Sequence, residues 1–380
     1  MLSKKCVVVG AGALGAALSV ELAASGADVT VVDASRPGSG TTSATFAWVG
    51  ASHPGLGLTP DYLELNIRGV AAHRRWSQLW GDRGWFTRSG CLTWHTAPEA
   101  QDEMVQNVRL LRDRGYPARL LSPSRVLERI EPSLQFAPSV EVVGWFPDEG
   151  YALGRPMVAD MLGVAASLGA QVRMQEEVVG ISRNGDRVSG VQLLGGESLA
   201  ADIVVSAAGT RTPTILQLAG AVPVPMVDAD VPRSLAVGLL AITTPVERVL
   251  TSVVVADELM MRPDGGGRIM LHRDAEDRGV ELSTPTDPAP LAAHSLVEEA
   301  AKYLGGNTGA VLESVRIGIR PLASDHLPVL GWASGVQGLY LMLTHSGMTL
   351  APALAELVAA EVTDDAEQQV FGALRPQRFE

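Results

Sequence analysis

The sequence predicts an α/β protein with a doubly wound, Rossmann-like domain and a second, mainly antiparallel β domain of α+β character. An apolar run, a glycine-rich turn, a helical stretch and a second apolar run follow one another in residues 6–33. A later apolar run, ADIVVSAAGT at 201–210, is typical of a buried parallel strand. Residues 222–320 contain several short β-like runs between turn residues, which indicates an antiparallel sheet.

The N-terminal glycines each have a mechanical role. Gly10 permits the sharp turn off the first strand, Gly12 lets the backbone approach a pyrophosphate, and Gly15 lets the helix pack closely on the strand. The helix N-terminus offers unpaired N–H groups to phosphates. Asp33 ends the second strand, where a carboxylate can accept both ribose hydroxyls of an adenosine. These features predict a dinucleotide site without saying which dinucleotide it binds.

Composition limits the possible functions. The chain has 380 residues, which suits two domains, and it is 46% hydrophobic, so it can bury a large interior. Its net charge of −12 argues against nucleic acid and anionic membrane surfaces as partners. Cys6 and Cys91 are the only cysteines, and they form neither a disulfide framework nor a zinc site. We therefore predict no metal.

Targeting signals are also missing from the pattern. The first strand begins almost at once, so we expect no signal peptide before the fold. No stretch that lacks charges and turn signals approaches the length of a membrane span, apart from the glycine-containing nucleotide helix. A cytoplasmic protein with no membrane span is the expectation.

A hydroxyl-rich segment at 35–57 follows the second strand and is long for a simple connection between two elements. Helices are predicted at 60–80, 98–114 and 122–129. Residues 85–86 and 91–94 suggest a β-hairpin that turns near Ser89 and Gly90.

The sequence from residue 156 onward predicts further elements of both domains. It gives a helix at 156–168, a strand at 170–174, a hairpin around Asn184-Gly185, strands at 236–243, 249–255, 259–262 and 268–272, a helix at 289–304, and a final strand and helix at 338–343 and 350–362. We place 201–210 in the same sheet as the first strand. The predicted nucleotide domain is therefore discontinuous, at 1–57, 146–221 and 321–380. The second domain comprises 58–145 and 222–320.

Five segments together resemble one known family. They are VVVGAGALGAALSVELAASGADVTVVDA, GSGTTSATFA, ADIVVSAAGT, RPLASDHLPVLG and LTHSGMTLAP. The chain is similar over essentially its full length to the flavoenzymes that include D-amino-acid oxidase, glycine oxidase and sarcosine oxidase. The resemblance implies an FAD-binding Rossmann-like domain, with the second domain supplying a substrate surface over the flavin.

The resemblance also implies a set of cofactor contacts. Asp33 and the turn would hold the adenosine and pyrophosphate, and the start of the final helix would lie at the flavin pyrimidine edge, where reduced flavin carries negative charge. The cofactor-binding residues implied are Gly10, Gly12, Ala13, Leu14, Gly15, Asp33, Thr42, Ser43, Val178, Ala208, Gly209, Gly331, Ser346, Gly347, Met348 and Thr349. The family more often has glutamate where Asp33 stands.

Two residues are candidates for the substrate side. In several members of the family, the arginine of the segment that here begins with Arg320 grips the substrate carboxylate, and a guanidinium matches a carboxylate bidentately. Arg262 and Arg316 are rival candidates, and an ordinary salt bridge, for instance to Asp325, is the alternative role for Arg320. His345 would supply positive charge near the flavin, touch substrate or be structural. No cysteine lies in VRIGIRPLASD, where sarcosine oxidases attach FAD, so we expect non-covalent FAD.

The implied activity is oxidation of the carbon–nitrogen bond of an amino acid or N-alkyl amino acid. A hydride would pass from Cα to flavin N5, the imine would hydrolyse in water, and oxygen or another acceptor would reoxidise the flavin. The partners would be a small amine or amino-acid substrate and that acceptor. The alternatives are an NAD-dependent dehydrogenase, a flavin hydroxylase and a flavin-binding subunit of a larger dehydrogenase complex. The sequence indicates neither the amine nor the oligomeric state.

Overall fold

The structure is a computed structural model that describes residues 3–53, 59–81, 83–247, 250–305, 309–364 and 366–380. The predicted domain boundary between 57 and 58 lies outside the described residues. Within those ranges every helix is too short or too polar to cross a membrane.

The helices are named in chain order. They are α1 (Ala13–Ala24), α2 (Pro60–Trp80), α3 (Pro98–Asp113), α4 (Pro123–Arg129), α5 (Gly154–Ser167), α6 (Thr212–Ala219), α7 (Asp274–Asp277), α8 (Leu291–Tyr303) and α9 (Gly347–Asp364). The structure confirms the predicted helices α1 to α5, α8 and α9. It starts α9 three residues earlier than predicted, so Gly347 lies in its first turn and not in the preceding loop.

The strands are also named in chain order. They are β1 (Lys5–Val9), β2 (Asp28–Asp33), β3 (Trp48–Val49), β4 (Phe86–Thr87), β5 (Cys91–Trp94), β6 (Arg119–Leu121), β7 (Val143–Phe146), β8 (Gly150–Ala152), β9 (Gln171–Met174), β10 (Val178–Asn184), β11 (Arg187–Leu193), β12 (Ser198–Ala200), β13 (Ile203–Ser206), β14 (Val237–Thr243), β15 (Val253–Ala256), β16 (Leu259–Pro263), β17 (Ile269–His272), β18 (Leu312–Ile319), β19 (Val329–Trp332) and β20 (Leu339–Leu343).

A six-stranded sheet forms the nucleotide-binding half. Its order is β19-β20-β13-β1-β2-β9, and every neighbouring pair is parallel except β19 with β20. β1 lies inside the sheet, which is why its residues after Lys5 are continuously apolar and buried. The prediction that residues 201–210 share a sheet with the first strand is confirmed, because Val8 pairs with Val205.

Helices cover one face of this sheet. α1 packs against both α5 and α9, and α2 packs along α9. α1 is buried almost all round, as expected for an alanine-rich helix between other helices and a sheet. The carboxyl ends of the parallel strands therefore open between α1 and α9, which is where doubly wound folds bind ligands.

The second large sheet has eight strands in the order β18-β14-β17-β16-β15-β5-β7-β6. Its pairs are antiparallel except for β15 with β5, which run parallel. Strands from 91–146 and from 237–319 thus share one sheet, although residues 147–236 separate β7 from β14.

One predicted hairpin is wrong. β4 pairs with β8 in a small sheet with β3, whereas β5 lies inside the large sheet between β15 and β7. All four residues of β5 are buried, and a hairpin with β4 would have used one of the edges that β15 and β7 occupy. The other predicted hairpin is confirmed, with β10 and β11 antiparallel around Asn184-Gly185.

Candidate cofactor and substrate site

A cavity of about 370 Å³ opens at the carboxyl ends of the parallel strands. Segments far apart in the chain meet in its wall, which is therefore built by the fold and not by one motif. Its predicted site residues are Gly10, Gly12, Ala13, Leu14, Asp33, Thr42, Val178, Ala208, Gly209, His345, Gly347 and Met348.

The glycine turn is packed so closely that side chains do not fit. Gly10 has a positive φ of 111°, and a Cβ there would lie 2.5 Å from the carbonyl oxygen of Ala207. A Cβ on Gly15 would lie 1.9 Å from the carbonyl oxygen of Gly10. Gly15 therefore does not line the cavity but lets α1 sit against the turn, as the sequence predicted for the helix and strand.

The N-terminus of α1 is free to bind an anion. Gly12 is its N-cap and provides no side-chain cap, and the first turn contains no acidic residue. The Ala13 N–H donates to Thr42 Oγ1 over 3.2 Å, so Thr42 lies beside the turn. Open backbone donors and the positive end of the helix dipole together suit a pyrophosphate.

Asp33 is oriented before any ligand arrives. Its Oδ2 accepts from the Ala11 N–H at 2.7 Å, and its Oδ1 accepts from the Ser35 N–H at 2.8 Å. A carboxylate has further lone pairs, and Asp33 lines the cavity, so it can still accept ribose hydroxyls. The shorter aspartate thus reaches the cavity wall.

The same wall continues along the start of β10 and the segment that follows β13. Val178 begins β10, and Ala208 and Gly209 follow the end of β13. Arg211 lies 3.6 Å from Glu177 at the rim of this region. These side chains are small or lie at the edge, which leaves room for a flat ring.

The first turn of α9 closes the opposite end of the cavity. Gly347 and Met348 line it, and a Cβ on Gly347 would contact Leu14 of α1. His73 Nε2 lies 2.7 Å from the Met348 carbonyl oxygen, which therefore accepts from a neutral His73 with the proton on Nε2. Burial lowers the pKa of His73 to about 4, which agrees with that neutral form.

Four other predicted site residues, Ser346, Thr349, Ser43 and Gly331, lie outside the lining. Ser346 shares a 2.6 Å hydrogen bond with the hydroxyl of Tyr62, and Thr349 Oγ1 donates to the Trp48 carbonyl oxygen. Ser43 donates its hydroxyl to carbonyl oxygens of its own loop. Gly331, on β19, faces Arg375, with 3.0 Å from an added Cβ to the guanidinium.

Arg320 is paired within the chain. Its Nη2 donates to Asp277 Oδ2 at 2.5 Å, and its Nη1 donates to the carbonyl oxygens of Leu235 and Val237 at 3.0 Å. Asp325, the salt-bridge partner suggested for Arg320 in the sequence analysis, is wrong, because Asp325 pairs with Arg378. A substrate carboxylate would have to share or replace the Asp277 contact.

Histidine and aspartate complete this cluster. His272 Nε2 lies 3.1 Å from Arg320 Nη2 and 3.3 Å from Asp274 Oδ1. Ligand atoms of His272, Asp274 and Asp277 fall within 4.8 Å of one another, the spacing of a metal site. Here the guanidinium of Arg320 already supplies the positive charge among them.

His345 lines the cavity, and its side chain is exposed there. Desolvation by the surrounding protein, and then the nearby positive charge of Arg320, lower its pKa to about 4. Desolvation likewise lowers the pKa of His53, whose ring lies 5.9 Å from that of Trp48 at an interplanar angle of 60°. The lowered pKa favours the neutral imidazole at pH 7 over the charged form considered in the sequence analysis.

The rival arginines have other positions. Arg262 is buried, donates to the Phe46 carbonyl oxygen and lies 3.0 Å from Asp264. Arg316 is half-exposed and lies 3.9 Å from Asp264. Like Arg320 itself, neither of them lines the cavity described above; Arg320 is distinguished by its charge acting on His345, which does line it.

Sequence reasoning missed three residues that hold the site: Asp277, His73 and Glu149. Asp277 belongs to the acidic run DAED, whose proximity to Arg320 no sequence spacing reveals. His73 lies on an amphipathic helix, where a histidine among apolar residues gives no sign of its partner. Glu149 sits in a turn, where glutamate is ordinary, so its burial could not be foreseen.

Comparison with known proteins identifies relatives along the whole chain. A family model described as FAD dependent oxidoreductase, the DAO family, matches residues 5–361. The chain is 28% identical over 370 residues to a glycine oxidase of Pseudomonas putida, covering 94% of this chain and 93% of that protein. It is 24% identical to a bifunctional ThiO/ThiG protein of Trichormus variabilis, where it spans only 56% of the relative.

A solved structure with the same fold is the L-proline dehydrogenase of P. horikoshii. The TM-score is 0.84 at 22% identity, covering 99% of this chain and 98% of the other. At that identity the likeness establishes the fold. It agrees with the arrangement of the two sheets described above.

Proposed function

Because the chain belongs to the DAO family of FAD dependent oxidoreductases, we propose that it oxidises the carbon–nitrogen bond of an amino acid or N-alkyl amino acid. The observation that carries this proposal is the cavity between the N-termini of α1 and α9. One end offers Asp33 and open backbone donors for a dinucleotide. The other end reaches His345, and Arg320 lies outside the lining but near enough for its charge to act on His345.

Different residues of the cavity would hold different parts of FAD. Gly12, Ala13 and Leu14 would hold the pyrophosphate, while Asp33 would hold the ribose. Gly347 and Met348 would lie at the flavin edge, since the start of α9 contains no acidic residue to repel negative charge there. The chemistry that bound FAD supplies is acceptance of a hydride from the carbon beside the amine.

The protein would contribute orientation rather than acid–base chemistry. Arg320 would hold the substrate carboxylate so that the reacting C–H bond points toward the flavin. His345, neutral at pH 7, would contact the substrate as a hydrogen-bonding group. No protein base is required, because a substrate amine that binds neutral has its lone pair available.

Asp277 competes with the substrate for Arg320. Charge-assisted hydrogen bonds contribute about 1.5–3 kcal/mol, so losing the grip of Arg320 should raise KM roughly ten- to hundredfold. Arg320→Lys keeps the charge but loses the planar fork, and it should raise KM while preserving the fold. Asp277→Asn should lower KM, since it removes the competing carboxylate; an unchanged KM in both variants would reject the role of Arg320.

FAD should be held without a covalent bond. The cysteines, Cys6 and Cys91, are both buried, and neither lines the cavity. Denaturing the yellow protein should release all of its flavin into the supernatant. Colour retained on the precipitated chain would show a covalent link.

The experiment that tests the function is an anaerobic substrate screen. The FAD-loaded protein is mixed with D- and L-amino acids and N-alkyl amino acids, and loss of visible flavin absorbance is followed. Bleaching by members of this panel, with formation of the keto acid or aldehyde, supports the proposal. Bleaching by reduced nicotinamide alone would favour a different donor. The nicotinamide-dependent dehydrogenase is not favoured, since the family match is to FAD dependent oxidoreductases.

The electron acceptor can be identified in the same preparation. Oxygen and artificial acceptors are each added to the substrate-reduced enzyme, and the return of absorbance is timed. Rapid reoxidation by oxygen would make the protein an oxidase, and reoxidation only by other acceptors would make it a dehydrogenase. Activity of the isolated chain would argue against a role as a mere flavin-binding subunit.

A further inference from the structure

Glu149 is a fully buried carboxylate that receives five hydrogen bonds. Its Oε1 accepts from the N–H groups of Ala51 and Ser52 and from the hydroxyl of Tyr116, each at 2.9 Å. Its Oε2 accepts from Trp48 Nε1 at 3.0 Å and from the Ser52 hydroxyl at 2.9 Å. Five donors on two oxygens satisfy the ionised form without a neighbouring cation.

Within the part of the chain that the structure describes, Glu149 has no cation as a hydrogen-bond partner. Burial raises the pKa of Glu149 to about 7, against the lowering effect of its hydrogen bonds. The titratable groups that face it are Tyr116 and Cys91, and burial keeps both protonated by raising their pKa values. The adjacent Asp148, by contrast, is partly exposed and pairs with Arg74 at 3.2 Å, with Arg88 at 3.8 Å. Burying a carboxylate without a cation beside it costs free energy. We therefore ask what the buried Glu149 contributes to the site.

The donors to Glu149 belong mainly to one segment, residues 48–52, which we call the strap. At Gly50 an added Cβ would lie 2.4 Å from Trp48 Nε1 and 2.6 Å from Glu149 Oε2, so the strap wraps tightly around the carboxylate. The Trp48 ring also lies 5.9 Å from that of His53, and both His53 and His345 lie close to the charge of Asp274. The strap therefore connects Glu149 to the substrate side of the site.

The other face of the strap holds the start of α9. Thr349 Oγ1 donates to the Trp48 carbonyl oxygen at 3.0 Å and accepts from the Gly50 N–H at 3.3 Å. Met348, one residue earlier, lines the cavity. One hydroxyl thus ties the first turn of α9 to a strap whose shape is fixed by one buried carboxylate.

We propose that Glu149 is a positioning residue for the flavin: it sets the shape of the strap and, through Thr349, the place of the first turn of α9. The inference rests on the proposed function, because α9 must face the flavin for its position to matter. The substitution Glu149→Gln would place an amide NH₂ either against Trp48 Nε1 or against the Ala51 and Ser52 N–H groups, none of which can accept a hydrogen bond, so the strap would have to move.

The test compares Glu149→Gln with Asp148→Asn, a matched removal of one carboxylate charge at the adjacent, partly exposed position. FAD affinity of the apoprotein is measured by quenching of flavin fluorescence, together with the visible spectrum and the reduction potential of the bound flavin. We expect Glu149→Gln to shift the spectrum and potential and to lower kcat on the order of a hundredfold, as an ångström of misplacement does, with KM changed less. Asp148→Asn should match the wild type in every measurement.

Milder substitutions around Glu149 provide a second test in case the Glu149→Gln protein does not fold. Tyr116→Phe and Ser52→Ala each remove one donor and leave the others, so each should shift the flavin spectrum in the same direction by a smaller amount. Glu149→Asp, which keeps the acceptor set, should restore more of the wild-type spectrum than Glu149→Gln does.

The outcomes separate the two claims. If the wild type binds no FAD, the proposed function fails. If the wild type binds FAD and the folded Glu149 variants lose only melting temperature, with spectrum, potential and kcat unchanged, Glu149 is merely structural and the inference is overturned. If Glu149→Gln does not fold, unchanged flavin properties in Tyr116→Phe and Ser52→Ala overturn it equally.

Discussion

Replacing Gly15 by alanine tests how tightly the phosphate-binding turn is built. The new Cβ would lie 1.9 Å from the carbonyl oxygen of Gly10, and contacts under 3.0 Å are essentially never found. Because the obstacle is backbone, α1 and the turn must separate by more than an ångström. Overpacking of this kind costs about 1–3 kcal/mol and sometimes more, while alanine regains about 1 kcal/mol of helix propensity.

The larger effect should fall on the cofactor. An ångström of movement breaks the alignment of the backbone donors that would bind the pyrophosphate, and hydrogen bonds to charged groups contribute about 1.5–3 kcal/mol each. Losing one such bond weakens FAD binding roughly ten- to hundredfold. The assay is titration of the apoprotein with FAD, followed by flavin fluorescence, with thermal unfolding measured on the same samples.

Gly163→Ala is the matched control. Gly163 also lies inside a helix, α5, but it is exposed and an added Cβ meets nothing within 4 Å. This variant should gain about 0.5–1 kcal/mol of stability and bind FAD as the wild type does. Wild-type FAD affinity and stability in Gly15→Ala, or equal losses in both variants, would refute the reasoning.

Three further predictions concern charge and pH. Asp33→Asn should weaken FAD binding about tenfold, since an amide accepts ribose hydroxyls less strongly than a carboxylate, and isothermal titration against the wild type measures the difference. The pKa of His73 is about 4 in the folded protein, below its ordinary value, so the native state binds fewer protons than the unfolded chain. The free energy of unfolding should therefore fall by about 3 kcal/mol as the pH drops from roughly 6.5 to 4. Unfolding curves of His73→Gln should lack that part of the pH dependence. The pKa of Glu149 is raised to about 7, so this carboxylate becomes protonated as the pH falls through neutrality. The FAD affinity of the wild type should therefore decline from roughly pH 8 to pH 6. In a folded Glu149→Gln protein the affinity should stay constant over that range.

The sequence predicted well wherever short-range pattern and fold coincide. The glycine turn and Asp33 belong to one local strand–helix–strand unit, so their spacing in the chain reports their geometry. The long helices α2 and α3 have clear apolar periodicity and proline near their starts, and both were located within a residue.

The hairpin at β4 and β5 failed because strand pairing is decided by tertiary contacts. Two short apolar runs around Ser89-Gly90 look local, yet each strand finds its partner elsewhere in the chain. Sequence periodicity describes which faces are buried but not which neighbour buries them.

The substrate side was predicted less completely for a similar reason. Arg320 was identified through a resemblance, but its pairing with Asp277 joins residues 43 positions apart on different elements. Glu149 and Thr349 likewise act together only through the strap, which no spacing in the sequence connects to either. Charge compensation in a buried site is a property of the folded surroundings, and a single residue carries no sign of it.

The central claim is that the cavity between α1 and α9 holds FAD and delivers an amino acid to it. The most direct measurement is anaerobic reduction of the FAD-loaded chain by amino acids, followed by flavin absorbance. The account predicts one releasable FAD per chain, bleached by at least one amino acid or N-alkyl amino acid, with a higher substrate concentration required in Arg320→Lys. A folded chain that binds no FAD, or bound FAD that no such amine reduces, would contradict it.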